Sequence, residues 1–280
     1  MESTPNSLPA GTEIGRTALR VADSAAMIEF YRGVVGLSVL RESGATTILG
    51  VDGSPLLVLT EDESVPEQRG TPGLFHNAFR VPTREALGDA LTRIREQWRL
   101  DGASDHGVSE ALYLSDPEDN GVEIYRDFPR EEWPRTDDGT VEMGTYPLDL
   151  ESVAAAAGGA SEAPPGTDLG HVHLEVSSLD AVDAFYTETL GFDLQATMRE
   201  ARFLGAGGYH HHVGANTWNG RTGTAGERGL DWFEVVLPDS ESLDALRERL
   251  DRSEYSVTET AEGISVSDPD RIEIRLRTEE

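Results

Sequence analysis

The chain has 280 residues, of which 38% are hydrophobic, so it is long enough to bury the cores of one large domain or two ordinary ones. It contains no cysteine, which excludes disulfides, thiolate metal ligands and cysteine nucleophiles, and its formal net charge of −29 argues against nucleic acid as a partner. No segment approaches the roughly 18 apolar residues of a membrane-spanning helix, and the N-terminus lacks the basic and apolar regions of a secretion signal, so we expect a cytoplasmic protein with no membrane partner.

The chain is predicted to begin with a polar tail, residues 1–13, which is followed by a strand and a helix. Alternation in Thr17–Val21 predicts the strand, and the Asp and Ser that follow it are residues that begin helices. Phe30 and Tyr31 form the apolar side of this helix, and Gly36 fits its C-terminal cap.

A second strand and helix follow within the first half. Gly73–Pro82 reads as a strand that leads into a helix over Glu85–Gln97, and short strands come after it. The last of these strands contains Glu123 and follows an Asp-Pro turn.

The second half of the chain repeats the first. His171–Val176 predicts a strand, and the Phe-Tyr pair and the glycine recur 155 positions later, as Phe185, Tyr186 and Gly191. The other features of the second half also match: the strand Gly229–Pro238, the helix Ser240–Arg252 and the final strand with Glu273. The chain is therefore predicted to contain four βαβββ modules.

This repeat predicts an α+β fold in which paired modules form curved, mixed-sheet half-barrels. We place one domain at residues 14–130 and a second at residues 167–280. The linker between them is set at residues 131–166, because Glu151–Gly166 is rich in Ala, Gly, Ser and Pro and has no strand pattern.

Most of the seven histidines lie at predicted strand positions, where a rigid backbone can hold metal ligands. Four runs of sequence, three of which contain histidines, resemble the two-domain catechol 2,3-dioxygenases of the vicinal oxygen chelate superfamily, which also includes glyoxalases, bleomycin resistance proteins and other extradiol dioxygenases. The resemblance extends from about Ile14 to Leu276. The runs are Gly170-His-Val-His-Leu-Glu-Val176, Gly207-Gly-Tyr-His-His-His-Val-Gly214, Ser104-Asp-His-Gly-Val-Ser-Glu-Ala-Leu-Tyr-Leu114 and Asp116-Pro-Glu-Asp-Asn-Gly-Val-Glu-Ile-Tyr125.

The resemblance implies a metal bound by two histidines and one glutamate, with positions left open for a catechol and dioxygen. His171, His76 and Glu123 stand at the matching positions, and Fe(II) is the expected metal, with Mn(II) as the alternative. Arg16 and Trp232 occupy the positions where the other two modules would need a histidine. Modules two and three should therefore pair across the linker, and modules one and four should form a second pair without a metal.

The resemblance also implies residues that act on the substrate. His106 matches a histidine that hydrogen-bonds the bound substrate or oxygen, and Tyr113 could donate to the ring-bound oxygen. A histidine in the last strand of module three matches the acid-base residue, and we assign this role to His212. Strand alternation puts His210 and His212 on one face and His211 on the other, so it leaves open which face points to the site and whether His210 or His212 does so.

Two further histidines and three tryptophans are weaker candidates for the site. His173 and His211 are expected to be structural. Trp133, Trp218 and Trp232 are candidates for the pocket lining.

The expected function is extradiol cleavage of catechol or a substituted catechol, with a small aromatic diol and dioxygen as partners. Two alternatives remain: a glyoxalase-like isomerase or transferase in which His212 is a fourth ligand, and a metal-free module that binds an aromatic compound. The sequence leaves a homo-oligomer open. All of its basic residues are arginine, and its acids are spread along the chain, which indicates the cytoplasm of an extreme halophile.

Overall fold

The computed structural model describes residues 7–66, 70–137 and 139–279. Residues 1–6 of the predicted tail lie outside the described residues. The predicted repeat of four βαβββ modules is confirmed.

The first two modules share the same element order. Module one consists of β1 (Glu13–Val21), α1 (Ser24–Phe30) with a π-helical turn (Tyr31–Val35), β2 (Ser38–Ser43), β3 (Thr46–Val51) and β4 (Ser54–Glu61). Module two consists of β5 (Gly73–Arg80), α2 (Arg84–Gln97), β6 (Gly102–Asp105), β7 (Ser109–Ser115) and β8 (Gly121–Asp127). The segment after module two contains a 3-10 turn (Arg130–Glu132) and α3 (Leu150–Ala154).

The last two modules repeat this order. Module three consists of β9 (Asp168–Glu175), α4 (Leu179–Val182) with a π-helical turn (Asp183–Thr189), β10 (Asp193–Met198), β11 (Ala201–Gly205) and β12 (Val213–Asn216). Module four consists of β13 (Gly229–Leu237), α5 (Ser240–Leu250), β14 (Thr258–Glu259), β15 (Gly263–Ser267) and β16 (Glu273–Thr278). None of the helices in the described ranges has the length and apolar composition needed to cross a membrane.

The modules pair to form two eight-stranded mixed sheets. One sheet has the strand order β14-β15-β16-β13-β1-β4-β3-β2 and joins modules one and four. The other has the order β10-β11-β12-β9-β5-β8-β7-β6 and joins modules two and three. The predicted pairing of modules across the linker is therefore confirmed, and each sheet contains strands from both halves of the chain.

The helix ends follow the predicted local chemistry. The side chain of Asp23 accepts a hydrogen bond from the backbone N–H of Ala26 at the start of α1, and that of Ser178 accepts one from Ala181 at the start of α4. Gly36 ends the first of these helical segments with a φ of 92°, a value that glycine adopts without strain.

The predicted linker has more structure than its composition suggests. The side chain of Asp149 caps α3 by accepting from the backbone N–H of Ser152, and Val153 of this helix is fully buried. The helix packs on α2, where Gly88 leaves room for its backbone. Packing between helices therefore orders a segment whose sequence reads as a spacer.

Candidate metal centre

Three predicted ligands meet on the sheet that joins modules two and three. His76 lies on β5, Glu123 on β8 and His171 on β9, and all three are buried. The sheet register aligns Ala78 of β5 with Glu123 on one side and with His171 on the other. Because Ala78 has a small side chain, the imidazole and the carboxylate can approach each other above it.

The three side chains form a nearly regular triangle of donor atoms. The Nε2 atom of His76 lies 3.0 Å from Oε2 of Glu123 and 3.3 Å from Nε2 of His171. The third side, from His171 Nε2 to Glu123 Oε2, measures 3.2 Å. Divalent ions bind nitrogen and oxygen at about 2.0–2.2 Å, so adjacent donors of one ion lie roughly 3 Å apart. The triangle therefore fits a single ion.

The charge states of these groups also suit a metal. Burial acts to raise the pKa of the Glu123 carboxyl, but the neighbouring rings of His171 and His76 outweigh burial and hold the pKa well below its usual range. Burial lowers the pKa of His171 to about 4, although Glu123 opposes the shift. A neutral imidazole and an ionised carboxylate are the forms that bind cations.

The triangle opens into an apolar cavity of about 300 Å³. A cavity of roughly 150 Å³ is enough for benzene, so this one can hold a single aromatic ring with a substituent. Six apolar residues form much of its wall: Phe75, Val108, Met143, Met198, Phe203 and Trp218. Of these, only Trp218 was a candidate from the sequence. Met143 belongs to the predicted linker, so that segment forms part of the cavity wall.

His106 and Tyr113 lie in the cavity, as expected. The Nδ1 atom of His106 is 2.7 Å from the carbonyl oxygen of Gly144, which can only accept, so Nδ1 carries the proton. The Nε2 atom then accepts from the Tyr113 hydroxyl at 2.7 Å. Burial raises the pKa of Tyr113 well above its usual value, and the Glu123 carboxylate adds to the shift, so the phenol stays protonated.

The structure does not place His212 in the cavity; His211 lies there instead. Strand alternation grouped His212 with His210 and opposite His211, but the three histidines precede β12 and are not part of it. Gly207 and Gly208 both have positive φ and turn the chain just before them. The Nδ1 atom of His212 accepts from the backbone N–H of Ala206 at 3.1 Å, so this ring belongs to the turn.

His173 and His211 both line the cavity, although they were expected to be structural. The ring of His211 lies 4.1 Å from that of His171, and the ring of His173 lies 4.9 Å from that of His76. Burial lowers the pKa of both rings well below the usual value, so both are neutral.

The three tryptophan candidates have different surroundings. Trp218 lies at the cavity and is 45% exposed, so it forms part of the opening. Trp133 packs against Tyr209 and His210 behind the cavity. Trp232 lies in the other sheet, where the guanidinium of Arg275 is 3.9 Å from its ring centre. At that matching site, Arg16 pairs with Glu234, so charged side chains and an indole occupy the space of the metal centre.

Comparison with known proteins defines the family. A model of the Glyoxalase/Bleomycin resistance protein/Dioxygenase superfamily matches residues 13–124 and 168–276. The chain belongs to this superfamily. It is 40% identical over 268 residues to a catechol-2,3-dioxygenase of Bacillus subtilis (strain 168), which covers 92% of this chain and 94% of that protein. It is 33% identical over 107 residues to biphenyl-2,3-diol 1,2-dioxygenase 3 of Rhodococcus globerulus, over 36% of this chain and 56% of that protein.

Two solved structures share the fold. Glyoxalase I from Zea mays superposes with a TM-score of 0.57 at 16% identity, covering 95% of this chain and 92% of that chain. The cppA protein from Streptococcus pneumoniae TIGR4 gives a TM-score of 0.57 at 14% identity, covering 95% and 99%. Within the described residues of this superfamily member, three potential metal ligands have donor atoms that all lie within 4.8 Å of one another: His76, Glu123 and His171. The fourth ligand of the isomerase alternative, His212, is not among them.

Proposed function

We propose that the protein is an extradiol dioxygenase that cleaves catechol or a substituted catechol with a mononuclear non-haem metal held by His76, His171 and Glu123. The observation that carries this proposal is the triangle of two imidazole nitrogens and one carboxylate oxygen at the end of a cavity sized for one ring. Two histidines and one carboxylate with open positions are typical of Fe(II) oxygenases, so Fe(II) is preferred and Mn(II) is the alternative. The identity to a catechol-2,3-dioxygenase over most of both chains supports the same activity.

His76, His171 and Glu123 would hold the divalent ion, which would supply a common binding place for the diol and dioxygen and a path for electrons between them. The protein then has to orient the ring, manage its protons and exclude water. Phe75 and Phe203 are apolar walls for the ring, and burial of the ligands keeps water away from them.

Proton management falls to groups on either side of the triangle. Since strand order places β12 and β7 on opposite sides of the ligand strands, His211 just before β12 and Tyr113 on β7 flank the metal site. The neutral ring of His211 accepts the proton of a diol hydroxyl as it binds. Tyr113 has a single O–H, which it donates to His106 when no diol is bound and can turn towards an oxygen on the ring when a diol is bound.

The proposal is tested by the metal dependence of product formation. The protein is purified in about 3 M KCl, in which charges are screened over less than about 3 Å, and loaded with Fe(II) under nitrogen. Catechol and air are then added, and the absorbance of a yellow ring-cleavage product is followed. We expect colour with the Fe(II)-loaded protein and none with His76→Ala.

Two results would remove the proposal. If the protein binds Fe(II) but no catechol in a panel is consumed, the site is not that of an extradiol dioxygenase, and isomerase substrates become the next test. If the wild-type protein binds no divalent metal, only the aromatic-binding module remains.

A further inference from the structure

A chain of hydrogen bonds leads from His211 in the cavity to the surface of the protein. The Nδ1 atom of His211 lies 2.8 Å from Nδ1 of His210, and Nε2 of His210 lies 2.9 Å from Oδ1 of Asp127. Asp127 is four residues after the proposed ligand Glu123 on β8, and its side chain is 17% exposed. Neither His210 nor Asp127 has a role in the function proposed above.

The partners of Asp127 fix the direction of these hydrogen bonds. Its other oxygen accepts from the hydroxyl of Tyr209 at 2.9 Å and lies 3.3 Å from Nη1 of Arg80. Although burial acts to raise the pKa of Asp127, the hydrogen bond from His210, the charge of Arg80 and the hydrogen bond from Tyr209 hold it below the usual value. An ionised carboxylate can only accept, so Nε2 of His210 carries the proton of that ring.

The position of the proton on the His210 ring then determines which nitrogen of His211 carries a proton. When each ring carries one proton, Nδ1 of His210 is the acceptor in this contact and Nδ1 of His211 is the donor. The second nitrogen of His211, Nε2, is therefore unprotonated and is the one left for a molecule in the cavity. The ring of His210 is held in place by Tyr209, whose ring centre is 4.1 Å away, and by Trp133 at 5.2 Å.

We infer that Asp127 and His210 are positioning residues that hold His211 in the tautomer whose Nε2 atom accepts a proton from the diol. This inference rests on the proposed function, because it gives His211 the role of proton acceptor. It explains why two adjacent buried histidines face each other behind the cavity: a single histidine at position 211 could rotate or exchange tautomers, whereas the relay of two rings and a carboxylate leaves one arrangement.

The test compares variants within the relay with a matched control outside it. His210→Leu removes both hydrogen bonds of the ring at similar volume, and Asp127→Asn keeps the shape but removes the charge. Asp168→Asn is the control, because Asp168 also pairs with Arg80 but makes no hydrogen bond to His210. Each Fe(II)-loaded variant is assayed for kcat and KM with catechol and for the binding of 4-nitrocatechol, which ionises near neutral pH without a protein base.

We expect His210→Leu to lower kcat for catechol by about 10- to 100-fold, in line with the loss of a positioned acid-base group. Asp127→Asn should lower it by a smaller factor. The Kd of 4-nitrocatechol should change by less than about threefold, since this ligand needs no protein base and the variants leave the pocket intact. Asp168→Asn should behave like the wild type.

Three outcomes would overturn the inference while leaving the proposed function in place. They are an unchanged kcat in both relay variants, an equal loss in Asp168→Asn, or a parallel loss of 4-nitrocatechol binding, which would mean that the relay only supports the pocket. A wild-type protein that does not turn over catechol would instead remove the proposed function itself.

Discussion

Buried ionisable side chains surround the proposed metal centre, and their charges decide what it can bind. Glu123 is the single acidic group among the three donors, and its ionised form faces two imidazoles. Without an ion, the two imidazole nitrogens and the carboxylate oxygen can interact only through hydrogen bonds with one another, and these cannot satisfy all three atoms at once. A bound cation would satisfy all three, which is why this cluster is read as a ligand set and not as a structural network.

This reading predicts the effect of Glu123→Gln on metal binding. The amide has nearly the same shape but no charge, so we expect Fe(II) affinity to fall by more than the roughly 10- to 100-fold cost of changing an outer-shell partner. The affinity is measured anaerobically in competition with a chromophoric chelator. Glu273→Gln is the matched control, because Glu273 holds the equivalent position in the other sheet, where it pairs with Arg275. Equal affinities of Glu123→Gln and the wild type would exclude Glu123 as a ligand.

Because the ring of His212 is buried, we predict that the stability of the protein depends on pH. Burial lowers its pKa to about 3, whereas the unfolded chain takes up the proton near pH 6.5. Its contribution to stability is therefore complete above about pH 6.5 and is lost as the pH falls towards 3, at up to about 1.4 kcal/mol per pH unit.

The variant His212→Asn cannot titrate, yet it keeps an oxygen that can accept the N–H of Ala206. We expect the free energy of unfolding of the wild type to fall more steeply between pH 6.5 and 4 than that of the variant, as measured by urea denaturation. Parallel curves for the two proteins would show that His212 does not titrate on unfolding.

The residues of the site differ in how far they could be predicted. His76, His171 and Glu123 were implied by the resemblance to extradiol dioxygenases, and the register of the three regular strands brings them together. His211 could not be chosen over His212, because the left-handed turn at Gly207 and Gly208 breaks the alternation on which the choice depended. The cavity walls come from loops and strand ends, whose positions depend on tertiary packing.

At the scale of secondary-structure elements, the contact between α2 and the linker helix α3 depends on one glycine. A Cβ atom at Gly88 would lie 2.6 Å from the carbonyl oxygen of Val153 and 2.8 Å from the backbone nitrogen of Ala157. These are backbone atoms and cannot move aside cheaply. The glycine is therefore required by packing, although it lies in the interior of a helix, where alanine is normally preferred.

Gly88→Ala should lower the free energy of unfolding by about 1–3 kcal/mol, because overpacking outweighs the gain of about 0.5–1 kcal/mol that alanine brings to a helix. The control is Gly33→Ala, where the added Cβ would meet the flexible end of Gln97, so that variant should be neutral or stabilised. Urea denaturation measures both. Stabilisation of Gly88→Ala would mean that α3 does not pack as described.

The helices differ in how far their sequences predict them. The helix predicted over Glu85–Gln97 is observed as Arg84–Gln97, because the Thr83 cap and the apolar periodicity are local signals. The helix over Ser240–Arg252 is observed as Ser240–Leu250, with Asp239 as its cap. The helix α3 has the Asp149 cap but is too short to show apolar periodicity, so its order depends on packing against Gly88.

At the scale of the whole molecule, the excess of acidic residues opposes compactness. The net charge of −29 is spread over a chain whose basic residues are all arginine. Salt shortens the distance over which these charges repel, to about 3 Å at 1 M. We expect the free energy of unfolding to rise by about 2 kcal/mol or more between roughly 0.1 M and 2 M KCl, as read from urea midpoints and slopes.

Glucose at equal osmolality is the control for this experiment, because it changes water activity without screening charge. It should stabilise the protein less than KCl does. A stability that is independent of KCl would mean that the acidic surface carries no repulsion that salt can relieve.

The two halves of the chain meet in the proposed metal centre, so the activity of this site tests the account as a whole. The most direct measurement is the oxygen consumed by the Fe(II)-loaded protein as a known amount of catechol disappears, recorded together with the absorbance of the product. We predict that equal amounts of dioxygen and catechol are consumed as the yellow product forms. Bound iron with no oxygen uptake, or catechol lost without dioxygen, would contradict a ring-cleaving dioxygenase built on His76, His171 and Glu123.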